Sequence, residues 1–125
     1  MKYKEWIKNI NKIVDSESTG FDEEYGAYYI CTLESDGASD MVFIYVRYNE
    51  EHGTIFLTDL GRIKEYCEEV GKDLEKEKVE FNKLAEKSGI KLYNNCYILE
   101  VTDINELEES IKNFKAFIVP VIQSI

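Results

Sequence analysis

The sequence predicts an α+β domain: an antiparallel three-stranded meander packed by N- and C-terminal helices. Three observations predict it. Apolar residues recur at helical spacing at both ends of the chain. Runs of strand length, rich in aromatic and β-branched residues and joined by short polar loops, fill residues 25–58. Two more helical patterns and a short hairpin then precede the last helix. The expected order is α-β-β-β-α-α-β-β-α. A chain of 125 residues suits one domain, 1–125, without repeats or linkers. A domain of that size buries roughly two thirds of its unfolded surface.

The first helix is written by Tyr3, Trp6, Ile7, Ile10, Ile13 and Val14, in steps of three and four, with lysines on the other face. The polar "DSESTG" ends it. "YGAYYICTL" reads as a strand and "ESDGASD" as a turn. "MVFIYVRY", 41–48, is almost continuously apolar, as a central strand would be. "NEEHG" is a hairpin loop, and "TIFLT" a third strand. Loops this short join antiparallel neighbours.

Leu60, Ile63, Tyr66, Cys67 and Val70 repeat helically, and Gly71 closes that helix. A third helix over about 75–88 carries Val79, Phe81, Leu84 and Ala85 and stops at Gly89. "IKLY", "NN" and "CYILEV" form a hairpin, since Asn tolerates the positive φ of a tight turn. Helix, helix and hairpin in this order are winged-helix-like. In "TDINELEESI", Asp103 and Glu106 have capping-box spacing. Ile104, Leu107, Ile111, Phe114, Ile118, Val121, Ile122 and Ile125 make the last helix's apolar stripe, which Pro120 should kink or end near residue 116.

The strand "MVFIYVRY", the corner "IFLTDLG", two helices, the step "GIKLYNNCYILEV" and a terminal helix with a late Gln ("FIVPVIQSI") carry a resemblance. Over roughly residues 41–125 the chain resembles the bacterial and phage family catalogued as domain of unknown function 1828. The seven-residue corner is its most specific part. Leu60 stands where the family commonly has a second acid, which counts against a metal held by paired acids. The resemblance implies phage, prophage or mobile-element surroundings and implies no activity.

Composition narrows the function. Apolar residues make up 44% and aromatic residues 13%, a globular composition. There is no 18-residue apolar run to span a membrane, and "MKYKEWIKNINKIV" reads as mature protein, not a signal peptide. Cys31, Cys67 and Cys96 are too scattered for a framework and read as free thiols in a reducing cytosol. The net charge of −10 opposes nucleic acid and anionic membranes but favours a basic protein surface.

At the corner "TIFLTDLGRIKEY", Thr58 or Asp59 can cap the second helix, and Gly61 allows close backbone approach. An anion there would meet Asp59, and the glycines and Lys of a phosphate loop are missing. The corner reads as a bend with a cap. His52 sits in a hairpin loop with no triad partner in its spacing, and no zinc ligand pair exists. "DEEYGAYYICTLE" lacks the alternating acids of an EF-hand. The Glu-x-Lys of a restriction-type nuclease is not matched: its nearest approach, the Glu-Lys-Glu-Lys run Glu75–Lys78, lies on a helix. No metal, cofactor or catalytic residue is expected. The third helix mixes Lys76, Lys78, Lys83 and Lys87 with Glu75, Glu77, Glu80 and Glu86, the pattern of a solvated face and not of a DNA reader.

The strongest asymmetry is acidic. Residues 1–15 are net +2, residues 16–40 are −7 with no Lys or Arg, and the remainder is −5. A solubilising surface would explain this. A protein-binding surface would explain it too, with Glu17, Asp22, Glu23, Glu24, Asp36 and Asp40 imitating spaced phosphates. Tyr25, Tyr28 and Tyr29, of a type enriched at interface hot spots, lie among them. "AFIVPVIQSI" could bury itself in the core or form a homodimer seam. The leading expectation is a small acidic accessory protein of phage or mobile-element type. It would bind and block a basic, nucleic-acid-handling host protein, as an inhibitor of an antiviral defence system such as CRISPR does. A winged-helix-like DNA-binding regulator and, last, a metal-dependent nuclease are the alternatives.

Overall fold

The computed structural model describes residues 2–37 and 40–125, with the side chains of Lys2 and Ser16 undescribed. Helix α1 (Lys2–Ile13) leads through a 3-10 turn to β1 (Thr19–Asp22), β2 (Ala27–Ser35), β3 (Met41–Asn49) and β4 (Thr54–Thr58). Then follow α2 (Arg62–Glu69), α3 (Leu74–Glu86), β5 (Lys91–Tyr93), β6 (Cys96–Val101) and α4 (Leu107–Ser124). All six strands form one antiparallel sheet in the order β1-β2-β3-β4-β6-β5. The α+β class is as expected, and "MVFIYVRY" does lie centrally.

Two features of the sheet differ from the sequence reading. β1 is an additional strand, held by pairing Thr19 with Ile30 through Asp22 with Ala27. The 91–101 hairpin is not a separate wing either. Its β6 pairs with β4, Ile55 opposite Val101 and Leu57 opposite Leu99, so it extends the meander.

Alternation along the strands separates the two faces. Val42, Ile44 and Val46 of β3 are buried with Ile30, Ile55, Leu57, Tyr97 and Val101, and Trp6, Ile10, Ile63, Phe81, Leu107 and Phe114 from the helices join that core. The helices therefore pack on one side. Trp6 Nε1 donates to the Gly53 carbonyl at 2.9 Å, fixing α1 to the β3–β4 turn. Gln123 Nε2 donates to the Ser35 carbonyl at 2.8 Å, fixing the end of α4 to β2.

The opposite face carries Tyr29, Cys31, Phe43, Tyr45, Arg47, Phe56 and Ile98, the register partners that alternate with the core residues. Among the described residues Phe43, Phe56 and Ile98 are only half-buried. A sheet covered on one side alone leaves this kind of surface.

Local details correct several expectations. Asp103 accepts from Asn105 N–H in a 3-10 turn, Ile104–Glu106, and Glu106 takes the N-cap position of α4 without a side-chain cap, so the capping box does not form as drawn. Pro120 neither ends nor divides α4, which runs on to Ser124. Pro120 and Ala116 are both exposed, so the carbonyl that loses its partner can turn to water. Phe114, Phe117, Ile118, Val121 and Ile122 are buried in this chain's own core. Asn94 and Asn95 do adopt φ +49° and +64° in the β5–β6 turn. No helix of the described residues is long and apolar enough to cross a membrane.

Candidate functional site

The corner after β4 is organised by Asp59, which is fully buried. Its Oδ1 accepts from Gly61 N–H at 3.1 Å and from Tyr97 N–H at 2.8 Å, and its Oδ2 accepts from Ile63 N–H at 3.1 Å. One carboxyl thus satisfies the first turn of α2 and ties it to β6. Thr58 Oγ1 accepts from Leu60 N–H at 3.1 Å. Burial pushes the Asp59 carboxyl up to about 6, against the pull of these N–H groups. The carboxyl occupies donors that an anion would need. Gly61 is there for its φ of +79°, not for close approach: an added Cβ would meet only ordinary contacts, Asn95 O at 3.7 Å and Cys96 Sγ at 3.8 Å. Leu60, at φ +52°, shares the left-handed bend. Its side chain joins Phe56, Tyr93 and Ile98 around an apolar groove of about 340 Å³ on the uncovered face.

The acidic segment occupies the loops at the two ends of β2. Asp22, half-buried, accepts from Glu24 N–H at 3.0 Å and Tyr25 N–H at 3.2 Å, which shapes the β1–β2 turn and leaves Glu23 and Glu24 exposed. At the other end, Asp36 N–H donates to the Asp40 carbonyl at 2.9 Å, and the Asp36 carboxylate accepts from the Tyr66 hydroxyl at 3.2 Å. Asp40 is exposed beside β3, and Glu17 is exposed in the 3-10 turn before β1.

The three tyrosines divide between faces. Tyr25 lies on Tyr45 with ring centroids 5.6 Å apart, and Tyr29 meets Phe43 edge-on at 5.1 Å. Phe43 and Tyr45 are 6.4 Å apart, so four rings form a continuous ladder on the uncovered face. Tyr28 points the other way, where its hydroxyl donates to Asn11 Oδ1 of α1 at 2.6 Å. The sequence grouping of Tyr25, Tyr28 and Tyr29 therefore holds only for the first and last.

The residue that sequence reasoning missed is Arg62. Its Nη1 donates to the Tyr25 hydroxyl at 3.4 Å and its Nη2 to the Tyr66 hydroxyl at 3.5 Å. The guanidinium carbon lies 5.3 Å from the Tyr66 ring centre and 6.0 Å from that of Tyr25, within cation–π range. Nε is 3.3 Å from Glu65 Oε2 but not in hydrogen-bond geometry, so attraction there is Coulombic. Burial opposes the charge on Arg62, yet Tyr66, Tyr25, Tyr45 and Glu65 raise its pKa on balance. Burial also raises Tyr45, which is 3% exposed, and Tyr66. The chain's other arginine, Arg47, donates from Nη2 to the Tyr25 carbonyl at 3.2 Å. Both arginines in the sequence thus grip one tyrosine of the acidic turn. That scarcity of Arg was a readable signal; their convergence on Tyr25 was not.

Among the described residues no three His, Cys, Asp or Glu side chains are grouped to hold a metal ion. Compared with family models, curated proteins and solved structures, the chain matches none of them.

Proposed function

We propose that the protein is a non-enzymatic binding protein that engages and blocks a basic, nucleic-acid-handling protein. One observation carries this reading. Acidic loops lie at both ends of β2, and between them runs a tyrosine-rich sheet face that α2 covers only at the Tyr25–Tyr45 end, through Arg62, leaving Tyr29 and Phe43 half-buried. The loops are held from within, by the Asp22 turn and by the relay Tyr25–Arg62–Tyr66–Asp36. Acids on an ordered frame give rapid, electrostatically steered association with a cationic partner. A mobile-element setting with a host defence protein as the target is part of the same proposal and rests on the sequence resemblance alone, with no family model matching the chain.

The test is a tagged pull-down from a host-type lysate, with and without nuclease, followed by affinity measurement on the captured protein. A stoichiometric basic protein that survives nuclease supports the reading. Replacing Asp22, Glu23 and Glu24 by their amides should then weaken binding at least tenfold and flatten its salt dependence. Undiminished binding by that variant would remove the acidic surface from the mechanism. Partners that all vanish with nuclease would favour nucleic-acid binding instead.

A further inference from the structure

We propose that the uncovered sheet face recognises arginine: an extended, arginine-bearing segment of the basic partner lies across β2 and β3, its guanidinium groups stacked on the Tyr29 and Phe43 rings. This rests on the proposed function and specifies what the partner presents.

The first argument is charge complementarity. Asp22, Glu23 and Glu24 stand at one end of β2 and Glu34, Asp36 and Asp40 at the other, and residues 16–40 contain no cation. The cations beside this half of the sheet, Arg47 and Arg62, are already engaged with Tyr25. An incoming cation therefore finds acids on both sides and no unengaged arginine competing for them.

The second argument is the state of the rings. Tyr45 and Tyr25 are occupied by Arg62 and by each other. Tyr29 and Phe43 continue the same ladder outward, and both are half-buried, with ring surface left open to solvent. Gly20 on the neighbouring strand lies directly under the Tyr29 side chain, since a Cβ there would approach the hydroxyl to 2.7 Å. Tyr29 is thus seated on backbone and held on edge against Phe43, so little of its freedom remains to be lost on binding.

The third argument is that the molecule already contains the contact. Arg62 sits between Tyr25 and Tyr66 with a carboxylate behind the second ring, Asp36 accepting from Tyr66. A planar guanidinium stacks on aromatic faces and donates at its edge, whereas an ammonium is a compact, strongly hydrated charge. The same chemistry at Tyr29 and Phe43 selects arginine over lysine. Acids alone would not.

The experiment uses the full chain and two synthetic eight-residue probes, alternating Arg-Gly and alternating Lys-Gly, titrated by calorimetry and by NMR. The expected result is about fivefold or tighter binding of the arginine peptide, with the largest shifts at Tyr29 and Phe43. The Tyr29→Leu and Phe43→Leu variants keep apolar bulk. Each should lower arginine affinity to the lysine level with a native amide spectrum, and if one does not fold the other suffices. Equal binding of the two peptides, abolished by Asp22→Asn, Glu23→Gln and Glu24→Gln together, would overturn the inference and leave the acidic-surface reading in place. Binding of neither peptide would overturn both.

Discussion

Removing the Asp59 side chain should nearly unfold the protein, and the cost can be worked from its bonds. Asp59→Ala leaves the N–H groups of Gly61, Ile63 and Tyr97 without their acceptor inside a fully buried corner. Each orphaned buried donor costs about 1–3 kcal/mol. The total, about 3–9 kcal/mol, is comparable with the ~5–15 kcal/mol stability of a whole domain. Asp59→Asn keeps one oxygen for Gly61 and Tyr97 but turns an amide against Ile63 N–H, so it should cost only about 1–3 kcal/mol. Urea unfolding followed by the single tryptophan, Trp6, which is buried under the β3–β4 turn, reads both variants. A loss below 1 kcal/mol in Asp59→Ala would refute the account of the corner.

The same residue predicts a pH dependence with a definite sign. Its folded pKa of about 6 lies above the ordinary 3.8, because burial outweighs three N–H donors. A raised carboxyl binds its proton more tightly when folded. Its stabilising contribution is complete below about pH 4 and is lost as pH rises through about 6. The wild type should therefore gain about 2 kcal/mol relative to Asp59→Asn between pH 7 and pH 4.5. Using the difference between the two proteins removes the shared effect of relieving acidic repulsion. A difference that stays flat, or that favours the wild type more as pH rises, would mean that the donors win over burial and that the group is ionised.

Three further outcomes are expected. Leu33, 69% exposed at φ +65° in the β2 bulge, pays for a left-handed conformation that glycine adopts freely, so Leu33→Gly should raise the unfolding free energy measured in urea by about 0.5–1 kcal/mol. Arg62→Ala should cost about 1–2 kcal/mol and reduce the near-ultraviolet circular dichroism of Tyr25, Tyr45 and Tyr66, because their shared partner is gone. Native-state thiol titration should modify half-buried Cys31 and Cys96 before fully buried Cys67, with mass spectrometry assigning the order.

What the sequence disclosed and what it hid follow from the range of the interactions involved. "TIFLT" gave β4 to the residue, Thr54–Thr58, because its pattern and both flanking turns are local. The Asn94-Asn95 turn and the glycine after α2, Gly71 at φ +76°, were legible for the same reason. "TGFD" was not legible as β1, since Gly and Asp argue against a strand and only its ladder with Ala27–Ile30 makes it one. Leu33 and Leu60 in left-handed conformations run against every local preference; the surrounding sheet imposes the first and the Asp59 corner the second. The acids of the candidate site could be read directly. The face they border could not, because Tyr25, Tyr45, Arg62, Tyr66 and Asp36 come from three strands' worth of pairing and a helix.

That long-range construction bears on affinity. Lone acidic loops would have to be ordered by a partner, and the ordering would subtract from binding. Here Asp22 shapes its own turn, Arg47 and Arg62 anchor Tyr25, and Tyr66 holds Asp36. Arg62 joins the two ends of β2 through its contacts with Tyr25 and Tyr66, so one substitution loosens both loops at once. Under the proposed function, Arg62→Ala should weaken partner binding although Arg62 is itself a cation, which simple charge counting says should be unfavourable to a basic partner. Stronger binding by that variant would mean that net charge governs recognition and that the held geometry does not.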